Sequence, residues 1–304
     1  ETGVVAVDYD DDRARASRAY RLRDRVLEVA HRPAGESRRV LADPGLERRV
    51  VGRRYVRLDR QVDGYARLSP SILREFLTYT VIGLAGDPAI DARARELQDH
   101  ITTVSRTKLA LSRQIARSLG AEFARAGTEE DRYCVVVAGD IVYGMAHDVY
   151  RPERSTGSMV HGSDLDLVVI VEDDAAERLV PLLDEAIYGR KYQYLKHPAY
   201  NEEIDYVVKP FGKLLEQAAF DTFPHMVACK IYDESELLYG SEALFRRGKD
   251  ALRERGVVDR LRAMEADAIV AREERVQLLL ASDEMPGGDQ RFHFFNDDEA
   301  PEFE

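Results

Sequence analysis

The sequence predicts an α/β fold in which a small sheet is flanked by helical N- and C-terminal parts. Three short apolar runs are predicted strands, since each is bounded by polar or turn-forming residues; they lie at 133–138, 165–171 and 204–208. Longer stretches with apolar residues at helical spacing lie on both sides of this region. Apolar residues make up 44% of the 304 residues, an ordinary share for a folded chain, so global disorder is excluded.

The N-terminal part, residues 1–128, is predicted to be a mainly helical, basic extension. Helices are predicted at 10–30, from 69 to about 83, and at 91–125. Residues 48–60 alternate basic and apolar side chains, which indicates either a hairpin with Gly52 near its turn or an exposed basic ribbon. We interpret this stretch as a solvated strand pair, although it is also the best candidate in the chain for binding nucleic acid.

Helices also follow the predicted strands. They are expected at 175–188, 211–219, 224–231, 242–255 and 258–281. The chain then breaks at 286–288 and ends in a loose acidic tail at 292–304. The sequence therefore predicts three parts: the extension at 1–128, a core at 129–245, and C-terminal helices with the acidic tail at 246–304.

Charge is distributed unevenly along the chain. Residues 1–128 hold 24 Lys and Arg against 18 Asp and Glu, whereas residues 129–304 hold 20 against 38. A wholly acidic protein binds nucleic acid poorly, but a basic half beside an acidic half leaves a nucleic-acid partner open.

Several classes of protein are excluded by what the sequence lacks. The longest apolar runs are far shorter than the ~20 residues of a membrane helix, so no membrane partner is expected. Two cysteines are too few for a disulfide framework or a zinc site with four cysteine ligands, and no basic-then-apolar leader opens the chain. We therefore expect a reducing, cytoplasmic setting. The chain has neither a Walker phosphate loop nor a Gly-x-Gly-x-x-Gly motif.

Carboxylates at the mouths of two predicted strands are the most informative feature. Asp164 and Asp166 are two residues apart, and strand alternation places both on one face. Like charges so close repel each other unless a cation lies between them, and hard oxygen ligands suit Mg²⁺. Asp205 lies on a later strand and completes a cluster of three if the strands are neighbours. Because an Asp-x-Asp pair alone is common at solvated strand ends, the surrounding motifs decide its interpretation.

Those motifs resemble the DNA polymerase β-like nucleotidyltransferase superfamily, which includes minimal, toxin-type enzymes. Residues 163–169 resemble its Ser-Asp-Ile-Asp-Leu signature, and 138–145 resemble its Gly-Ser-x-x-x-Gly-Thr element with both glycines in place. Asp205 matches the third carboxylate in type, context and order. The resemblance covers roughly 130–245 and implies a nucleotidyltransferase core with a small mixed sheet.

The resemblance implies transfer of a nucleoside monophosphate from an NTP to an acceptor, with release of pyrophosphate. Asp164 and Asp166 would bind both Mg²⁺ ions, with Mn²⁺ as the alternative metal. Asp205 would bind the ion beside the nucleophile and act as a base toward the acceptor hydroxyl. Lys230 would contact the β- and γ-phosphates, unless it is simply a surface lysine. The residues implied in nucleotide binding are Gly139, Asp140, Gly162, Ser163, Arg151, Arg154 and Lys230.

Two departures from the family pattern concern the nucleotide. The family has Ser or Gly where this chain has Asp140, and a carboxylate there opposes a triphosphate. The 20 positions from Gly144 to Asp164 are about twice the usual gap. Arg151 and Arg154 in this insert can supply the missing positive charge, and we expect Asp140 to anchor one of them. The alternative is a solvated loop, and we expect the insert to be mobile until nucleotide binds.

The acceptor is left open by the sequence. It is a tRNA or another RNA held by the basic extension, a protein hydroxyl, or a small molecule. Four lysines near the third strand are either a rim that attracts an anionic substrate or ordinary surface charge: Lys191, Lys196, Lys209 and Lys213. A catalytically weakened nucleotide-sensing or scaffold protein on the same fold is the alternative to an enzyme.

Overall fold

The computed structural model describes residues 44–125, 127–153, 155–197 and 200–281, together with Phe294. The predicted helix at 10–30, the acidic tail apart from Phe294, and Arg154 lie outside these described residues. The chain divides into two compact units, one made of Glu1–Ile101 with Met264–Glu304 and the other of Thr102–Ala263. These boundaries differ from those at 128/129 and 245/246, and the three-part division stays a prediction.

The first unit contains four short strands among its described residues. They are β1 (Leu46–Val50), β2 (Tyr55–Leu58), β3 (Ala66–Ser69) and β4 (Thr80–Leu84). β1 pairs antiparallel with β4, and β2 pairs antiparallel with β3. The prediction of a hairpin within 48–60 is therefore wrong, because the two strands of this stretch pair with different partners. Gly52, with a φ of 76°, lies between them.

Two helices begin in this unit, α1 (Ile72–Thr78) and α2 (Ala89–Arg125). The Ser71 hydroxyl caps α1 by accepting the Arg74 N–H at 3.1 Å. The predicted helix from 69 to 83 ends early, because residues 80–84 pair with β1 as a strand. The described part of 1–128 thus holds four short strands as well as helices, and the long helix predicted at 91–125 is confirmed. A mainly helical extension over the whole of 1–128 stays a prediction.

Arginines of the 48–60 stretch are paired with carboxylates of the same unit. The Arg49 Nε atom lies 2.8 Å from an Asp91 oxygen, and the Arg54 Nε atom lies 2.6 Å from an Glu75 oxygen. Their charge is partly compensated within the protein. The two strands of this stretch do not pair with each other, and binding of nucleic acid by its arginines stays a prediction.

The second unit is built around a four-stranded sheet. The strands of this unit, in chain order, are β5 (Tyr133–Ala138), β6 (Tyr150–Pro152), β7 (Met159–His161), β8 (Leu165–Val171), β9 (Ile204–Pro210) and β10 (Glu236–Gly240). The sheet has the order β10-β5-β8-β9, and β6 and β7 form a separate hairpin. β8 and β9 run parallel while the other pairs are antiparallel, so the sheet is small and mixed as predicted.

Helices connect and follow these strands, and all of them except the short α3 lie close to the positions that the sequence predicts, although α4 runs further than the predicted 175–188. They are α3 (Asp140–Tyr143), α4 (Ala176–Lys196), α5 (Phe211–Gln217), α6 (Phe223–Glu234), α7 (Glu242–Glu254) and α8 (Val257–Ala281). The last of these continues into the first unit. None of the helices in the described part of the chain is both long and apolar enough to span a membrane.

The core of the second unit lies between the sheet and two long helices. Val135 and Val137 of β5 pack in one cluster with Ile115 and Leu119 of α2 and Leu179 of α4. Every residue of β5 is buried, so this strand is a continuous apolar run rather than an alternating one. Polar side chains are therefore confined to the strand ends, which is where the carboxylates lie.

Candidate functional site

The structure brings the three predicted carboxylates together at one edge of the sheet. Asp166 on β8 lies directly opposite Asp205 on the parallel strand β9, and Asp164 immediately precedes β8. One oxygen of each carboxylate lies within 4.8 Å of the oxygens of the other two. The parallel register is what makes this possible, because it aligns equivalent ends of the two strands.

This cluster fits a hard divalent cation. Its donors are three carboxylates, and the Asp164 and Asp205 side chains are 36% and 49% exposed, so an ion can reach them from solvent. Gly139 closes the other side: it follows β5 with a φ of 75°, and a Cβ there would lie 2.2 Å from Asp166 Oδ2. Because residue 139 has no side chain, the Asp166 carboxylate can occupy this space.

Lys191 of α4 contacts the cluster directly. Its Nζ atom donates to Asp205 Oδ1 at 2.8 Å. Partial burial lowers the pKa of Lys191, but the hydrogen bond to Asp205 and the charges of Asp205, Glu203 and Glu153 outweigh it, and the pKa is raised. Lys191 is therefore a charged partner of the cluster.

The other lysines of the predicted rim lie in different settings. Lys196 donates to Ser158 Oγ at 3.3 Å, and Lys213 pairs with Glu216 at 2.8 Å. Lys209 is buried and donates to Gln217 Oε1 at 2.6 Å, and burial lowers its pKa to about 8. A place for Lys209 on a surface rim is therefore wrong, because its side chain points into the protein.

Arg151 ties the insert to the base of the cluster. Its Nε atom donates to the Gly162 carbonyl at 2.7 Å, and its Nη1 atom lies 2.8 Å from Glu203 Oε2. Its Nη2 atom lies 3.8 Å from Asp164 Oδ2. Burial raises the pKa of Glu203, and the nearby Arg151 opposes that rise. Arg151 thus supplies the positive charge expected of the insert, and its guanidinium lies beside the carboxylates of Glu203 and Asp164.

Within the insert, Tyr150–Pro152 and Met159–His161 pair as the hairpin β6–β7. Glu153 organises its tip: the carboxylate accepts hydrogen bonds from the backbone and hydroxyl groups of Ser155 and Thr156, at 2.6 to 3.0 Å. Burial of Glu153 would raise its pKa, but these bonds outweigh burial and lower the pKa to about 2. The alternative of a solvated loop therefore does not describe Tyr150–Pro152 and Met159–His161, which pair as strands. Mobility of the insert until nucleotide binds stays a prediction.

Asp140 and Ser163 connect the two glycine-containing motifs. The Ser163 hydroxyl donates to Asp140 Oδ2 at 3.0 Å and accepts the His147 N–H at 3.2 Å. Gly162 has a φ of 56°, and a Cβ there would come within 1.9 Å of the His147 carbonyl oxygen. These contacts position the segment that leads into Asp164. Anchoring of an arginine by Asp140 stays a prediction.

Lys230 is buried on α6 and forms an ion pair with Glu234. The other Glu234 oxygen accepts the Gly139 N–H at 3.1 Å. The Lys230 Nζ atom also lies 5.2 Å from the centre of the Tyr143 ring. The interpretation of Lys230 as a surface lysine is therefore wrong. A chain of contacts links it through Glu234 to Gly139, beside Asp166.

Three residues around this site were missed by the sequence analysis: Glu203 and Glu234, which contact its members, and Lys108, which contacts the neighbouring Glu202. Glu234 follows Lys230 by four residues, the spacing at which side chains on a helix meet. The sequence alone could therefore have predicted the ion pair between them. Lys108 of α2 donates to Glu202 Oε2 at 2.5 Å and to the His161 carbonyl at 2.7 Å. No sequence signal connects Lys108 to residues more than fifty positions away.

Comparisons of the chain with models of known families, with curated proteins and with solved structures found no match. The site consists of a cluster of carboxylates, two cations beside it, and a glycine that faces it.

Proposed function

We propose that this protein is a metal-dependent nucleotidyltransferase of the DNA polymerase β-like type. The observation that carries the proposal is the convergence of Asp164, Asp166 and Asp205 within 4.8 Å at the ends of two parallel strands, facing Gly139. These are the positions at which the resemblance places the catalytic carboxylates. We assign the activity to a reducing, cytoplasmic setting, in keeping with two cysteines that are buried and free.

The reaction would form a bond between an acceptor oxygen and the α-phosphorus of an NTP. The bond from that phosphorus to the β-phosphate oxygen breaks, and pyrophosphate leaves. Asp164 and Asp166 would hold both ions, and Asp205 would hold one and receive the acceptor proton. Mg²⁺ held by these carboxylates would neutralise charge at the phosphates and make the acceptor hydroxyl more acidic. Catalysis of this kind depends on positioning and electrostatics, which the fixed strand register supports.

The nucleotide would lie along the Gly139 and Gly162 side of the cluster. Ser163 and Lys230 border this side, and Lys230 is the cation suited to the terminal phosphates. Asp140 opposes an anion there. Its charge is partly engaged by the Ser163 hydroxyl, which donates to it at 3.0 Å.

The test is incubation of the full chain with each α-labelled NTP and Mg²⁺ or Mn²⁺. Mixed tRNA, the protein itself and small hydroxyl compounds serve as acceptors. We expect label transfer by the wild-type chain and none by Asp166→Asn. Asp250→Asn is the matched control, since it makes the same change at an exposed carboxylate that pairs with Arg253 on its own helix. Absence of transfer to every acceptor under both metals would contradict the proposal.

A nucleotide-sensing or scaffold protein is the second candidate. Two observations favour it: the Asp140 carboxylate lies on the nucleotide side, and Lys191 pairs with the carboxylate expected to act as base. Tight NTP binding without turnover would support this function. Transfer to tRNA that weakens steeply with salt would instead identify an RNA acceptor, because phosphate contacts release counterions.

A further inference from the structure

Two cations accompany the carboxylate cluster, and they differ in how firmly they are held. The Arg151 guanidinium is 12% exposed and is fixed by the Gly162 carbonyl and the Glu203 carboxylate. Lys191 projects from the surface of α4, and its side chain is 24% exposed. Its ammonium group is hydrogen-bonded to Asp205, whose own side chain is 49% exposed. Lys191 can therefore swing into solvent, whereas Arg151 cannot leave without breaking a buried ion pair.

The position of Lys191 conflicts with a cation bound at Asp205. A divalent ion takes its oxygen ligands at ~2.0–2.6 Å, depending on the metal. An ammonium hydrogen-bonded to the same carboxylate at 2.8 Å would face that ion across a few ångströms. Like charges at such distances repel, and the two also share the negative charge of one carboxylate. Lys191 must therefore move away from Asp205 before a cation can coordinate the Asp205 carboxylate without this repulsion.

We propose that Lys191 is a positioning residue that acts as the counter-ion of Asp205 in the metal-free protein and competes with a divalent cation for that carboxylate. The inference rests on the metal site of the proposed function, and it adds the control of metal entry to that site. Lys191 holds three mutually repelling carboxylates together when the cation is absent. The same contact lowers the affinity of the empty protein for the cation.

The test is Mn²⁺ binding to the full chain without nucleotide, followed by electron paramagnetic resonance of the free ion. Lys191→Met should bind Mn²⁺ tighter by about fivefold, the size expected when one partly exposed ion pair no longer competes. Lys191→Arg keeps the counter-ion and should stay within about twofold of wild type. Lys213→Met is the matched control, because it removes the same charge from an exposed lysine paired with Glu216.

The double variant Lys191→Met/Asp205→Asn separates this competition from a general loss of positive charge. The double variant should bind Mn²⁺ with the same affinity as the single variant Asp205→Asn, because Lys191 has no carboxylate at position 205 to compete for. Equal affinity of Lys191→Met and wild type, or an equal gain in Lys213→Met, would overturn the inference.

A second measurement covers a variant that folds less well. The rise in Tm between EDTA and Mg²⁺ should be larger in Lys191→Met than in wild type. The reason is that the missing counter-ion destabilises only the metal-free state. An equal rise in both would overturn the inference. Tighter Mn²⁺ binding in Lys191→Met without label transfer by any chain would support the competition and count against the nucleotidyltransferase. Label transfer by wild type, together with unchanged Mn²⁺ affinity in Lys191→Met, would support the nucleotidyltransferase and contradict the competition.

Discussion

Gly139 lies so close to Asp166 that a methyl group on Gly139 would come within 2.2 Å of the Asp166 Oδ2 atom. Two separate constraints meet at this glycine. Its φ of 75° disfavours any L side chain, and its hydrogen faces the carboxylate cluster. The two constraints can be separated by experiment.

Gly139→Ala should destabilise the fold by about 1–3 kcal/mol and should also displace Asp166 and weaken Mn²⁺ binding. Gly256→Ala is the control: its φ is 69° and nothing lies within 4 Å of an added Cβ, so it carries the backbone strain alone. We expect both variants to lose Tm and only Gly139→Ala to lose metal affinity. Equal Mn²⁺ affinity in the two variants would show that the close approach to Asp166 has no effect on the cluster.

Asp166→Asn and Asp164→Asn should abolish label transfer while leaving the fold intact. Each change removes a ligand but keeps volume, and it relieves repulsion among the three carboxylates in the metal-free state. Tm in EDTA should therefore be unchanged or slightly raised. Asp205→Asn should instead lose up to ~1 kcal/mol, because Lys191 loses its partner. A large loss of Tm in both of the first two variants would indicate a structural role.

The pair of Arg151 and Glu203 should contribute to stability much more than a surface ion pair. Glu203 is 5% exposed and Arg151 is 12% exposed, so Glu203→Gln removes the nearer charge partner of a largely buried guanidinium and leaves it only the more distant Asp164 carboxylate among the ion pairs described above. We expect a loss of about 3 kcal/mol in urea unfolding. Asp250→Asn, which breaks the exposed pair with Arg253, should cost less than about 1 kcal/mol. Similar losses in both variants would show that the Arg151 pair is a surface contact in solution.

The tip of the β6–β7 hairpin should weaken in acid. The pKa of Glu153 is lowered to about 2 from its ordinary value of 4.5, so the ionised carboxylate stabilises the folded hairpin. That contribution is fully present above pH 4.5 and is lost as the pH falls from 4.5 through 2. Hydrogen exchange at the Ser155 and Thr156 amides, corrected for its intrinsic pH dependence, should lose protection across this range. In Glu153→Gln the protection should be low already at pH 7 and independent of pH.

The sequence located most of the core elements of the second unit. Short apolar runs such as 133–138 and 165–171 are strands because they bury both faces, and Pro210 ends β9 as its missing N–H predicts. In the first unit the same reasoning failed at 48–60. Strands of four or five residues with arginines among them carry little periodic signal, and their partners at 66–69 and 80–84 are chosen by tertiary packing.

What the sequence by itself determined is the identity and order of the carboxylates, the glycines that flank them and the strands that carry them. Only the tertiary structure decided which cations meet these carboxylates. Lys191 reaches Asp205 because α4 packs beside β9, and Arg151 reaches Glu203 because the insert folds back as a hairpin. Pattern and spacing report the neighbours of a residue along the chain. Contacts between distant segments depend on how whole elements pack, which no local pattern contains.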